Sequence, residues 1–260
     1  MTAGAPQPGP EVPWAMQLVV FRDRAAEAGH IEVCEAAAAA AVALLADDRA
    51  AQPGGEWARA VAQWRGLAIR KVVRRADGKR WADVQELPGV TAAIPPVPGE
   101  QDSTAPQPEP RDPAERDRAE GDQSARPAAA VRAFVPAPVS PLPKALAKLQ
   151  VGETNFPARG PSTAPDAVVT VGIRPGLGMT TGKAAAQCAH AAQRAWETMP
   201  EAARRRWQEA GFRTRVVDLD AAAWEREWPV RIIDAGFTEL DGPTQTTVAG
   251  WTLDGGSAPV

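Results

Sequence analysis

The chain is poor in cysteine and histidine, has no long apolar run and carries no excess of positive charge. Only Cys34 and Cys188 occur in its 260 residues. They lie far apart, each inside a helical pattern, so they cannot build a disulfide framework, and a reducing cytoplasm is expected. With two histidines and no second Cys/His cluster, the composition also argues against zinc. Cys188 and His190, two apart on a helix, cannot both turn toward one ion. No apolar stretch reaches the ~20 residues that span a bilayer. The opening MTAGAPQPGPEVPW lacks the basic start and apolar core of a signal peptide. A formal charge of −3 excludes a uniformly basic nucleic-acid coat but allows a local basic face. The expectation is a soluble, cytoplasmic protein with no membrane partner.

What is abundant is alanine, proline and glycine. A hydrophobic fraction of 44% is globular, yet 26 Pro and 22 Gly are too many for one compact domain, so part of the chain should be linker. Residues 1–13 are Pro/Gly-rich. Residues 95–127 hold almost no large apolar side chain and cannot bury enough surface to offset their ordering entropy; a disordered loop is expected. A second linker covers 153–166. Around these, strands are expected near 16–22, 67–75, 90–94 and 130–135, with helices at 31–46, 56–65, around Trp81 and at 143–149. After the second linker come strands near 168–173, 212–219, 229–234 and 246–251, with helices from about 180, at 200–210 and at 220–224. The halves share the order strand, helix, helix, strand, short helix. Trp64 and Trp81 flank Val72-Val73 as Trp207 and Trp224 flank Val216-Val217, with the same spacing of 17. Arg22 and Arg174 each end a first strand. Order and detail together indicate a diverged duplication. The expected fold is α/β: two small three-layer domains, 14–150 and 166–253, each a mixed four-stranded sheet flanked by helices.

The chemistry concentrates in GLGMTTGKAAAQCAHAAQR, residues 176–194. On its helix Lys183, Gln187, His190 and Arg194 stand at i, i+4, i+7 and i+11 and share one face. The other faces carry alanines and Cys188, small enough for close approach to a neighbouring backbone. Thr180 or Thr181 is placed to cap the helix. A lysine in the first turn opposes the macrodipole, so a phosphate or a developing oxyanion is expected between it and the free N–H groups; the alternative is a solvated surface lysine. The segment is not a mononucleotide phosphate loop: Leu177 stands where that loop needs Gly, and Ala184 follows the lysine. Nor is it a dinucleotide fingerprint, with Thr181 at the third glycine position.

Two further features accompany it. Asp234-Ala235-Gly236-Phe237-Thr238 closes a strand, and Thr244, Thr246 and Thr247 follow. Such a carboxylate can hold a water or a ribose, or simply bind its own turn. Basic runs (Arg65, Arg70, Lys71, Arg74, Arg75, Lys79, Arg80, then Arg204, Arg205, Arg206, Arg213, Arg215) can neutralise phosphates or simply be solvated.

The helix motif, a strand ending IIDAGFTEL and then TQTTV resemble the type 2 peptidyl-tRNA hydrolase family over about residues 167–251. The resemblance implies cleavage of the ester joining a peptide to the 3′ end of tRNA, by a metal-free homodimer with a mixed four-stranded sheet and no cofactor. It also implies that Lys183, Gln187 and His190 of the first motif, and Asp234, Gly236, Thr238 and Thr247 of the second, form the site. Lys183, His190, Asp234 and Thr238 take the catalytic part; Gln187, Gly236 and Thr247 bind substrate, and Thr246 competes with Thr247. Three positions depart from the family pattern: Thr181 stands at a usual lysine, Gly176 at a usual aspartate and Phe237 at a usual arginine. Losing two cations weakens phosphate binding or moves it elsewhere, for example to the basic strand of the first half. The competing expectation is an inactive tRNA- or partner-binding pseudohydrolase. The first half lacks both motifs, and the expectation is that it packs like a second subunit, making the chain a monomeric pseudo-dimer.

Overall fold

The computed structural model describes residues 12–23, 26–95, 127–162, 164–236 and 239–252. The expected disordered loop 95–127 and the Pro/Gly-rich start fall almost wholly outside these residues. The first half runs β1 (Trp14–Phe21), α1 (His30–Ala46), α2 (Asp48–Ala51), α3 (Glu56–Arg65), β2 (Arg70–Ala76), α4 (Gly78–Gln85), β3 (Gly89–Ile94) and β4 (Ala129–Phe134). Short elements follow: β5 (Ala137–Pro138), α5 (Lys144–Ala147) and β6 (Gln150–Val151). The second half holds β7 (Val169–Ile173), α6 (Thr181–Thr198), α7 (Glu201–Glu209), β8 (Thr214–Asp218), α8 (Ala221–Trp224), β9 (Val230–Asp234) and β10 (Thr244–Trp251).

Two mixed sheets result. The first follows β3-β4-β1-β2-β6 with β5 alongside β1, and the second β8-β7-β10-β9. Four strands are expected in each from the sequence; the first sheet has six, because the two-residue strands β5 and β6 pair with β1 and β2. Its four longer strands repeat the second sheet strand for strand. β1 is parallel to β2 as β7 is to β8, and β4 and β10 run antiparallel to both their neighbours. The tryptophans repeat a contact as well: Trp64 Nε1 donates to the Arg70 carbonyl at 3.1 Å, and Trp207 Nε1 to the Arg213 carbonyl at 3.0 Å. Both indoles are fully buried, where an unpaired N–H would be costly. These bonds align Val73 with Val216, so the valine pairs are offset by one residue.

Helix α1 is apolar beyond Glu35, and from Ile31 to Leu45 it buries every residue except Glu32 and Ala43; the buried Glu35 accepts from the Val216 N–H at 3.3 Å. A helix apolar all round must be covered on all sides. Here α1 packs against β3 and β4 of its own sheet, β8 of the other sheet, and α6 along its length. Helix α6 does the reciprocal thing, packing on β7, β9 and β10 and on β2 of the first sheet. The two helices therefore form one layer between two sheets, and their alanines permit the close approach. The cysteines meet in this layer. Hydrogen bonding from the Cys188 thiol and burial push the Cys34 thiol well above its ordinary range, so it packs as a small inert apolar group.

Candidate active site

The site sits at the N-terminal end of α6. Strand β7, buried throughout, delivers the chain to a turn in which Gly176 and Gly178 take φ of 75° and 61°. An aspartate at Gly176 would meet a backbone that side chains rarely adopt. Thr180 is the N-cap, its hydroxyl accepting from the Lys183 N–H at 3.2 Å. Glu239, from the loop after β9, clasps the same threonine: its Oε2 accepts from Thr180 N–H at 2.9 Å and its Oε1 from the hydroxyl at 2.6 Å. This carboxylate at a helix N-terminus complements the macrodipole. The sequence gives one signal for it, an acid five residues beyond Asp234.

The group beside Lys183 is a carboxylate of the protein, where a phosphate or a developing oxyanion is expected from the sequence. Asp234 ends β9, and its Oδ2 accepts from Lys183 Nζ at 2.7 Å and from Gln187 Nε2 at 2.7 Å. Its Oδ1 accepts from the Gly236 N–H at 2.9 Å. The side chains of Lys183 and Asp234 are 9% and 15% exposed, which rules out the solvated surface lysine. Burial raises the Asp234 pKa, but the Lys183 ammonium, the Gly236 N–H and the Gln187 amide outweigh it and hold the carboxyl below its ordinary value. Asp234 is thus an ionised hydrogen-bond acceptor of low basicity.

Gln187 is locked from behind. Thr246 donates its hydroxyl to Gln187 Oε1 at 2.8 Å, and Thr247 donates to the Gln187 backbone carbonyl at 3.1 Å. Neighbouring strand residues normally face opposite ways. The β9–β10 register slips between Gln245 and Thr247, and this bulge lets both hydroxyls reach α6. Thr246 and Thr247 are fully buried, so both sit behind the glutamine rather than on an open surface. Thr238 and Phe237 lie outside the described residues.

Two other positions face the first half. Thr181 is buried, and its hydroxyl lies 2.9 Å from His30 Nδ1 and accepts from the Phe156 N–H at 3.0 Å. A long cation there would displace this packing. His190 points toward β2: its Nδ1 is 3.2 Å from Lys71 Nζ, which also donates to Gln193 Oε1. Gln193 Nε2 in turn donates to Glu197 at 3.0 Å, and Glu197 pairs with Arg65 at 3.2 Å. Burial, then the Lys71 and Lys183 charges, push the His190 pKa well below its ordinary value. Lys71 is legible in the sequence only as one member of a basic run. Its parity with buried Val73 on the strand is the available signal that it points inward.

In the first sheet, Ile94 pairs with the first residue of β4 as Asp234 pairs with the first of β10. A buried isoleucine thus takes the carboxylate's place. Among the described residues, no cluster of His, Cys, Asp and Glu is suited to a metal, and no helix is long and apolar enough to cross a membrane.

What the second half assembles is an ammonium and an amide that both donate to one carboxylate. Such a group can orient a water and stabilise developing negative charge. Residues 167–251, which contain all of it, match the family model for Peptidyl-tRNA hydrolase PTH2. Comparison with curated proteins and with solved structures gives no match.

Proposed function

We propose that residues 167–251, a domain of the peptidyl-tRNA hydrolase PTH2 family, hydrolyse the ester that joins a peptide to the terminal ribose of tRNA. The observation that carries this reading is the buried Lys183–Asp234–Gln187 cluster inside the matched region. A water adds to the ester carbonyl, the tetrahedral intermediate expels the ribose oxygen, and the proton given up by the water ends on that oxygen. Asp234, too weakly basic to remove the proton early, orients the water by accepting from it. Lys183 stabilises the developing oxyanion. Gln187, fixed by the two threonines, keeps Asp234 in place, and the Gly236 N–H aims its second oxygen. His190 and Thr238 complete the site, with Thr238 at the ribose end. The first half, 14–150, takes the structural place of a second subunit beside the hydrolase half, 166–253. The chain then works as a monomer without a cofactor.

The test is release of free tRNA from N-acetyl-aminoacyl-tRNA by the full chain beside Lys183→Ala and Asp234→Asn, with folding checked by circular dichroism. Each variant is expected to lose roughly 10²–10⁴-fold in turnover, the scale of a positioned catalytic group. Near-normal turnover by either one overturns its assignment. A parent chain that binds tRNA without turnover is a binding module instead, the reading favoured by the loss of a cation at Thr181.

A further inference from the structure

The first half meets the site-bearing helix at several polar points, and Lys71 is the one set against His190. The matching tryptophan bonds align Arg70 with Arg213, and hence Lys71 with Thr214. Where the second half has a buried threonine, the first sends an ammonium across to α6. Lys71 is held on three sides: Trp64's ring lies 5.0 Å away, Gln193 Oε1 accepts from it, and His190 Nδ1 stands at 3.2 Å. The Gln193–Glu197–Arg65 chain fixes the far end of this arrangement.

The chemistry at His190 follows from donor counting. An ammonium has hydrogens and no lone pair, so the nitrogen facing it must accept. The proton of the neutral imidazole is then on Nε2. The arrangement survives deprotonation of Lys71, because an amine keeps two N–H groups, one each for Gln193 and His190. His190 lies on the same stripe as Lys183 and Gln187, about 10 Å from Lys183 along the axis. It is part exposed, and no hydrogen bond of its Nε2 is found among the described residues.

We infer that Lys71, supplied by the first half, is a positioning residue that holds His190 as a neutral Nε2–H donor facing the bound peptidyl-tRNA. This rests on the hydrolase reading for its substrate, while its structural core does not. His190 then donates a hydrogen bond to the substrate and removes no proton from it. The first half, which lacks both motifs, sets the form of a residue in the other.

The experiment is nitrogen NMR of the full chain labelled at histidine, with turnover measured in parallel. Two histidines make the spectrum simple, and His190→Asn assigns it. The parent is expected to show His190 with a bare Nδ1 and a protonated Nε2, unchanged on acidification through the ordinary histidine range. Lys71→Met should give mixed tautomers that titrate nearer that range. Its kcat should fall roughly tenfold to a hundredfold, the order a misplaced group costs, with KM little changed. Lys71→Arg, which keeps the donors, should keep the Nε2–H form. A parent protonated on Nδ1, or a tautomer indifferent to Lys71→Met, overturns the inference. If Lys71→Met fails to fold, the parent's tautomer and Lys71→Arg decide it. If the parent has no turnover, the hydrolase reading fails, and the NMR arm still decides between a fixed and an unfixed His190.

Discussion

Two lysines, one on α6 and one reaching it from β2, show how surroundings divide one residue type between tasks. Lys183 faces a carboxylate, so its charge is balanced where it lies. Lys71 faces an amide oxygen and an imidazole, and burial lowers its pKa to about 7, with the Glu197 charge opposing and the Arg65 charge assisting. Between about pH 7 and the ~10.4 of an unfolded lysine, the unfolded chain binds a proton that the folded chain does not. Stability contributed by this site therefore rises with pH across that window. Below it both states are protonated, and the full cost of burying the charge is present. Lys71→Met removes the group, so the melting temperature of the parent relative to the variant should climb from pH 7 toward pH 10. Melts at three pH values read it directly, and a difference flat in pH would refute the assigned shift. The other groups around Lys71 (Glu197, Arg65, His190) remain in the variant and cancel in the comparison to first order.

At the scale of elements, the chain is tightly constrained at Gly236, just after β9. Gly236 has φ of 77°, and a Cβ there would lie 2.4 Å from the Gly242 carbonyl oxygen. Its N–H also aims Asp234. Gly236→Ala thus combines backbone strain with a clash against backbone atoms, and a loss of about 2 kcal/mol or more is expected by thermal melting. Turnover should fall further than stability alone explains, because Asp234 is re-aimed. Gly172→Ala is a milder relative: its Cβ would meet Leu219 at 2.4 Å, a side chain that can move, and about 1–3 kcal/mol is expected with turnover intact. The same elements divide into those legible in the sequence and those that are not. Strand and helix placement is legible because apolar periodicity and the Thr180 cap are local signals. The Lys183 face is legible for the same reason. Glu239's clasp on Thr180, the bulge that turns Thr246 and Thr247 together, and the short strands β5 and β6 depend on partners distant in sequence. Lys71 is hidden among cations that differ from it only in the face they occupy.

At the scale of the molecule, the decisive element is α1. A helix this rich in alanine and other apolar residues, polar only near its start, has no stable exposed arrangement, and α6 buries its alanine faces against it. In the proposed pseudo-dimer the two helices cover each other within one chain, so their packed faces are closed to a second copy. The intact chain is therefore expected to be a monomer by light scattering at micromolar concentration. A fragment of residues 166–253 alone would expose the α6 stripe of Ala185, Cys188, Ala189 and Ala192, all fully buried in the whole molecule. Contiguous apolar surface of that kind drives self-association. That fragment should dimerise or aggregate, and adding residues 14–150 in trans should restore a single one-to-one complex. A tight homodimer of the intact chain would break the scheme, since α6 cannot be covered twice. The same geometry ties association to chemistry: a fragment dimer would set Thr214, not Lys71, against His190. It could keep Lys183 and Asp234 paired, yet it should lose the lysine-dependent tautomer along with the first half.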